Sequence, residues 1–253
     1  MKKPNIIPIF IISFNRLTVL KETIKSYYDY IKTPFEIIIW DTGTTFLKTL
    51  DYLNELGRSG IRIYKEEKLQ YTLKHHLYNK LNPVIKDYFL KSKNKSPFYI
   101  VTDPDIAFYK KTPGDVLDFY AFILNNFPKI LKVGPMMKTD DIPDHYPLKQ
   151  RVIDTYLKRQ YNKEMTEIEF KNKIYKACSA TLTPFGMYRR NTLFEKKILS
   201  FRCDSPYDAK HLDWYIDIKN MPTDQIFYLN CVPCAKNMAH WSNEYLVEII
   251  NKK

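Results

Sequence analysis

Apolar positions along the chain fall into two alternating kinds of run. Short, nearly unbroken apolar stretches stand at Pro8 to Phe14 (PIFIISF), Phe35 to Trp40 (FEIIIW), Gly60 to Lys65 (GIRIYK) and Phe98 to Val101 (FYIV). Their length and their β-branched and aromatic content predict buried strands. Between them apolar residues recur every three or four positions: Leu17, Leu20, Ile24, Tyr27 and Ile31, then Phe46, Leu50, Leu53 and Leu56 with Gly57 past the end. That spacing predicts amphipathic helices, with Asn15 capping the first and Thr33-Pro34 stopping it. Leu69 to Leu90 predicts one or two helices broken at Asn82-Pro83. The order β-α-β-α-β-α-β with short connections argues for a parallel sheet with helices on both faces.

The second half is less regular. A helix is expected around Pro113 to Phe127 and a strand over Ile130 to Met137 (ILKVGPMM), followed by an Asp- and Pro-rich loop from Asp140 to Pro147. Leu148 to Lys173 is charged and helical in pattern, and Ile174 to Arg190 reads as strand-turn-strand. From Asp204 onward come His211-Leu212-Asp213-Trp214-Tyr215, Pro222 to Leu229, Met238-Ala239-His240-Trp241 and a short amphipathic tail. No repeat and no linker-like shift in composition interrupts the chain, so a single domain is expected over 1–253.

Composition narrows the class. With 253 residues, 45% hydrophobic and 15% aromatic, the chain can bury a substantial core. It holds only six glycines and neither GxxxxGK[ST] nor GxGxxG, which argues against a glycine-rich phosphate cradle. Lys and Arg exceed Asp and Glu by 40 − 28 = +12. The lysines are scattered, which favours attraction to phosphorylated or acidic partners. With no basic-aromatic alternation and no recognised binding module, no nucleic-acid partner is expected. Met1-Lys2-Lys3 and the apolar run after it imitate a signal peptide, but Pro4, Asn5 and Pro8 interrupt it and Asn15-Arg16 ends it. No stretch reaches the roughly 20 apolar residues of a membrane span, so a soluble, cytoplasmic protein is expected. Cys178, Cys203, Cys231 and Cys234 include a single C-x-x-C; reduced thiols are expected, since a zinc ribbon needs a second pair.

The chemistry gathers at predicted strand ends. Three strands run out into polar residues: Ser13, Asn15 and Arg16; Asp41 and Thr42; Asp103 and Asp105. Ligands of open α/β sheets bind at the carboxyl ends of strands. Asp103-Pro104-Asp105 puts two carboxylates at i and i+2, a set suited to a hard divalent cation that also takes water and phosphate oxygens. D-x-D alone is a weak motif, and Asp-Pro-Asp also makes a plain turn.

The segments IIPIFIISFNR, EIIIWDTGTT and FYIVTDPDIAF together resemble the nucleotide-sugar-dependent glycosyltransferases of the GT-A fold, family 2-like, well over residues 6 to about 110 and loosely beyond. TPFGMYRR resembles the strand carrying the acceptor-side loop, and PYDAKHLDWY and the late AHW look like features of small soluble members from bacteria and large DNA viruses. The resemblance implies an α/β GT-A (Rossmann-like) domain, with a nucleotide-sugar half over 1–110 and a smaller mixed acceptor-side region and tail over 111–253. It implies transfer of a sugar from a nucleoside-diphosphate donor, UDP foremost, to a hydroxyl of a glycan or glycoprotein. Ser13, Phe14, Asn15 and Arg16 would line the donor, with Arg16 near the diphosphate, and Asp41 would accept from base or ribose. Asp103 would sit between ribose and metal, and Asp105 and His240 would complete a Mn²⁺ or Mg²⁺ site that neutralises the leaving diphosphate. An inverting reaction needs a base within hydrogen-bond reach of the acceptor hydroxyl. Asp213 stands where such a base belongs in chain order, with Asp208, Asp217 and His211 as rivals; the Glu-Asp pair of many members is absent. Trp214 and Tyr215 would stack on the acceptor sugar, or serve as core aromatics.

Competing readings remain open at this level. A sugar-phosphate nucleotidyltransferase shares this sort of core but carries a glycine-rich, Arg-containing loop after its first strand, and SFNRLT is not one. A non-catalytic nucleotide-sugar or carbohydrate-binding relative would keep the fold without needing both Asp103 and Asp105.

Overall fold

The computed structural model describes residues 6–66, 74–156, 164–180, 184–195 and 198–231. Its first half follows the predicted alternation: β1 (Ile7–Ser13), α1 (Leu17–Tyr30), β2 (Phe35–Asp41), α2 (Leu47–Arg58), β3 (Arg62–Lys65), α3 (Lys74–Lys91) and β4 (Phe98–Thr102). These strands pair in parallel in the order β3-β2-β1-β4. Successive side chains of a strand point to opposite faces, and the core divides accordingly. Ile9, Ile11, Ile37, Ile39 and Ile100 pack on one face with Leu20, Ile24 and Tyr27 of α1. Phe10, Ile38, Trp40, Tyr99 and Val101 pack on the other with Leu81, Val84, Ile85 and Tyr88 of α3. That double burial is why these strands read as apolar runs rather than as alternation.

Pro83 does not break α3, which runs through it. The residues flanking the proline are tied down: Leu81, Val84 and Ile85 are buried, and the Asn82 carboxamide exchanges hydrogen bonds with the Phe194 backbone (Nδ2 to O 3.1 Å, Phe194 N to Oδ1 2.8 Å). Packing outweighs the one lost backbone hydrogen bond.

Past β4 the chain makes β5 (Ile106–Ala107), α4 (Val116–Asn126), β6 (Lys132–Pro135), α5 (Lys149–Tyr156), β7 (Met165–Phe170), β8 (Lys173–Ala180), β9 (Phe185–Arg189), β10 (Ser200–Cys203), β11 (Lys210–His211), two short 3₁₀ turns and α6 (Thr223–Cys231). The large sheet extends to nine strands, β3-β2-β1-β4-β9-β6-β10-β8-β7, with β9 antiparallel to both β4 and β6. The result is the expected α/β, Rossmann-like architecture: a parallel half, a mixed half and flanking helices.

One expectation is corrected here, and one strand was not foreseen. Leu148 to Lys173 is not one helical segment: among its described residues Lys149–Tyr156 is helix and Met165–Phe170 is a strand. Within that strand Ile168 and Phe170 are buried while Glu167 and Glu169 are exposed, a two-residue period that high charge disguises as a helix surface. Its hairpin to β8 turns at Lys171 and Asn172, both at positive φ (51° and 60°), so the turn lacks the usual glycine signal. The two strands expected over Ile174 to Arg190 form as β8 and β9, and they do not pair with each other, since β10 and β6 lie between them. β10 (SFRC) was not foreseen; it is too short to stand out, yet it is buried between β6 and β8.

Cys178 and Cys203 are buried thiols. No helix among the described residues is long and apolar enough to cross a membrane.

Candidate functional site

The carboxyl ends of β1, β2, β4, β6 and β10 lie along one edge of the sheet, as their parallel pairings require, so the polar residues that follow these strands gather there. After β1 the chain turns through Asn15 at φ 55°. A non-glycine residue in this left-handed region is uncommon, and Asn tolerates it better than most. Its side chain does not cap α1 as expected: Oδ1 accepts from the backbone N–H groups of Thr45 (2.7 Å) and Phe46 (2.9 Å) at the start of α2. The first turn of α1 is capped instead from far along the chain, by Asp224 of α6, which accepts from Thr18 N (2.9 Å) and Thr18 Oγ1 (2.7 Å).

The same turn aims Arg16 inward, leaving it 5% exposed. Its Nη1 donates to Asp105 Oδ2 at 2.7 Å, its Nη2 donates to Asp213 Oδ1, and its Nε donates to Gln225 Oε1 at 3.1 Å. The guanidinium also lies over the Tyr228 ring, 5.0 Å from its centroid. Phe14 meets the same tyrosine edge-on.

Asp105 follows the Asp103-Pro104 turn and leads into β5. That two-residue strand pairs antiparallel with β11, setting Ile106 opposite His211, and Leu212 N donates to Asp105 O at 2.8 Å. This small second sheet carries the late segment back to the strand end. His211 Nδ1 lies 3.9 Å from Asp105 Oδ2, and the imidazole stacks on the 1%-exposed indole of Trp214 (4.9 Å, 6°). One ligand atom each from Asp105, His211 and Asp213 falls within 4.8 Å of the others.

Burial opposes ionisation of the Asp105 carboxyl, but the His211 and Arg16 charges outweigh it and hold the group below the usual carboxylate range. Burial pushes His211 below its ordinary value, Asp105 pulling the other way and Arg16 reinforcing burial. Two buried atoms in this cluster have no hydrogen-bond partner, Asp105 Oδ1 and His211 Nδ1. Orphaned buried polar atoms are costly; a carboxylate oxygen and a deprotonated imidazole nitrogen can each offer a lone pair to a cation. Two carboxylates and an imidazole form a mixed O/N set that fits a Mn²⁺-like or Mg²⁺-like cation. The residues present therefore fit the implied metal.

The other predicted residues are distributed as follows. Ser13 ends β1 with its hydroxyl buried and unpartnered. Asp41 ends β2, buried, its Oδ1 accepting from Thr44 N at 3.0 Å. Asp103 is half-buried, its backbone N–H donating to Pro184 O. Asp208 stands apart from the cluster, accepting from the Tyr109 hydroxyl; burial raises its pKa, with that hydroxyl and Lys138 opposing. Tyr215 donates to Asp141 and carries Lys210 over its ring at 4.4 Å. Asp217 caps the second 3₁₀ turn through Lys219 N. His240, expected as a metal ligand, lies outside the described residues.

Sequence reasoning missed Asp224, Gln225 and Tyr228. The one available signal was their i, i+1, i+4 spacing on TDQIFYLNC, which sets a carboxylate and a phenol on one helix face. A cavity of about 190 Å³ opens beside Gln225, Leu212 and Tyr215, between α1, the 3₁₀ turns and α6. A larger one of about 490 Å³, between α2 and β3, shares no residue with the cluster.

No protein-family model matches the sequence, and no curated protein matches it. Solved structures do. A mannosyltransferase, PcManGT from Pyrobaculum calidifontis in complex with GDP-Man and Mn²⁺, matches at 14% identity and TM-score 0.38, covering 55% of this chain and 38% of that one. TarS of S. aureus in complex with UDP-GlcNAc matches at 16% identity and TM-score 0.40, covering 73% and 45%. Glucosyl-3-phosphoglycerate synthase of Mycobacterium tuberculosis, with Mn²⁺, UDP and glucosyl-3-phosphoglycerate, matches at 13% and 0.39, covering 74% and 57%. The chain thus spans between about two fifths and three fifths of the length of these matched proteins.

Proposed function

We propose that this protein is a divalent-cation-dependent glycosyltransferase that takes a nucleoside-diphosphate sugar, UDP-linked foremost, and passes the sugar to a hydroxyl acceptor. The observation that carries the reading is the Asp105–His211–Asp213 cluster, Asp105 buried and the other two half-buried, with two orphaned polar atoms, beside Arg16 at the strand-end edge. Asp105, His211 and Asp213 would hold the cation, which supplies charge neutralisation to the departing diphosphate. Asp103, one turn upstream, is assigned to the ribose. Ser13, Phe14 and Asn15 border the nucleotide, with Asp41 accepting from its base or ribose. Arg16 supplies the remaining positive charge, suited to phosphate by its planar fork of donors. In the transfer itself the acceptor oxygen bonds to the anomeric carbon as the bond to the diphosphate oxygen breaks. The acceptor proton passes to a carboxylate: Asp208 where Asp213 holds the cation, or Asp213 where Asp105 and His211 hold it without that residue.

The test is a screen of nucleotide sugars for nucleoside diphosphate release with Mn²⁺. Turnover is expected with at least one donor, to vanish in EDTA and to vanish in Asp105→Asn. Full activity of that variant in EDTA would remove the reading.

A further inference from the structure

Arg16 does something in the site that a diphosphate ligand alone does not explain. In the structure it is committed to protein: Nη1 to Asp105, Nη2 to Asp213 and Nε to Gln225, with Tyr228 against its face. These are the two carboxylates of the candidate cation cluster. A buried pair of carboxylates without a counter-charge would repel and draw apart or protonate. The guanidinium holds both ionised and close, and so keeps the cluster assembled. A doubly charged ion held by the same carboxylates would stand within a few ångströms of that guanidinium. Like charges at such range in a dry setting repel strongly. The two cations therefore compete for one anionic seat.

We propose that Arg16 is a resident counter-ion: it gives up Asp105 and Asp213 when a divalent cation enters, and the guanidinium so released becomes the phosphate contact for the donor. The proposal rests on the cation-site reading above and adds a property to it. Cation and nucleoside diphosphate bind cooperatively, because each is favoured by the same displacement of Arg16, and the coupling is reciprocal. It also reverses the ordinary expectation for a site arginine. If Arg16 were only a scaffold for the carboxylates, removing it would weaken cation binding. As a competitor, its removal strengthens it.

The experiment measures Mn²⁺ binding directly, from loss of the free-ion electron paramagnetic resonance signal, on the full chain and on Arg16→Gln, Arg16→Lys, Gln225→Leu and Asp105→Asn. Circular dichroism checks the fold of each. Arg16→Gln is expected to bind Mn²⁺ at least tenfold more tightly than the unmodified chain, and Arg16→Lys close to it. The factor by which Mn²⁺ improves UDP binding should drop at least fivefold in Arg16→Gln. Gln225→Leu, which removes one anchor of Arg16, should tighten Mn²⁺ about threefold, and it decides the matter if Arg16→Gln does not fold. Unchanged or weaker Mn²⁺ binding in the folded Arg16 variant, or in Gln225→Leu when that variant stands in for it, overturns the exchange. If the unmodified chain binds Mn²⁺ through Asp105 but the variants bind no tighter, the exchange falls and the cation site stands. If Mn²⁺ does not bind, or binds equally to Asp105→Asn, both fall together.

Discussion

At the scale of single residues, Asn15 carries two separate demands that two substitutions can separate. It occupies φ 55° and its carboxamide holds the Thr45 and Phe46 N–H groups. Asn15→Gly loses only the hydrogen bonds, at about 1 kcal/mol. Asn15→Ala loses them and adds the left-handed strain of about 1–2 kcal/mol. Urea unfolding should therefore rank Asn15→Ala as the less stable of the two; the reverse order would deny the backbone argument. Asp208 gives a pH test. Its carboxyl is raised, chiefly by burial, so the folded state disfavours the ionised form. The stability it contributes is full below the unfolded value, about 3.9, and is lost as pH rises through the raised folded value. Asp208→Asn should thus melt near the parent temperature at pH 4 and above it at pH 7; an equal offset at both pH values would contradict this. Asp213 separates by kinetics. As a cation ligand, Asp213→Asn raises the Mn²⁺ Kd; as a base, it lowers kcat by about 10²–10⁴-fold and leaves that Kd alone. Running Asp208→Asn alongside shows which carboxylate takes the proton.

Among the elements, α6 is the one with the widest reach. It caps α1 through Asp224, anchors Arg16 through Gln225 and covers the guanidinium with Tyr228. Asp224→Ala removes both cap bonds and should cost about 1–2 kcal/mol. For a chain of this size that is a fall of roughly 2–8 °C in Tm. A calorimetric scan showing no fall would mean that the cap is idle. The β5–β11 pair matters for the opposite reason: it is tiny, yet its register sets His211 beside Asp105, helped by the Leu212 N–H to Asp105 O bond. Gly186 shows a further constraint inside the sheet. A Cβ there would stand 2.7 Å from Cδ and 2.9 Å from Cγ of the buried Lys132, so the glycine leaves the space in which that side chain lies.

For the whole molecule, the site is built from segments 89, 197 and 209 residues away from Arg16, joined at one edge of the sheet. A ligand that bridges them stabilises the folded state alone. UDP with Mn²⁺ at about a hundred times its Kd should add about 2.7 kcal/mol, a rise of roughly 5–10 °C in Tm, and EDTA should cancel the part owed to the cation. The +12 charge predicts that nucleoside diphosphate affinity declines with salt; an affinity flat in salt would confine the electrostatics to the buried cluster. By itself the sequence determined the four parallel strands and the helices between them, though not their order in the sheet, because doubly buried strands and amphipathic helices leave local periodicities that neighbours do not alter. It also singled out Arg16 and Asp105 as polar groups at strand ends, while His211 and Asp213 came from the family resemblance and their place in chain order, as candidate bases. Only the tertiary structure decided who meets whom. The β7 strand hid under its charges, β10 was too short to announce itself, and the Asn15 and Asp224 caps reach across to other helices. That Asp213 and His211 face Asp105, with Arg16 between the carboxylates, depends on two-residue pairing and on packing by α6. Those contacts join distant segments, and no local pattern records them.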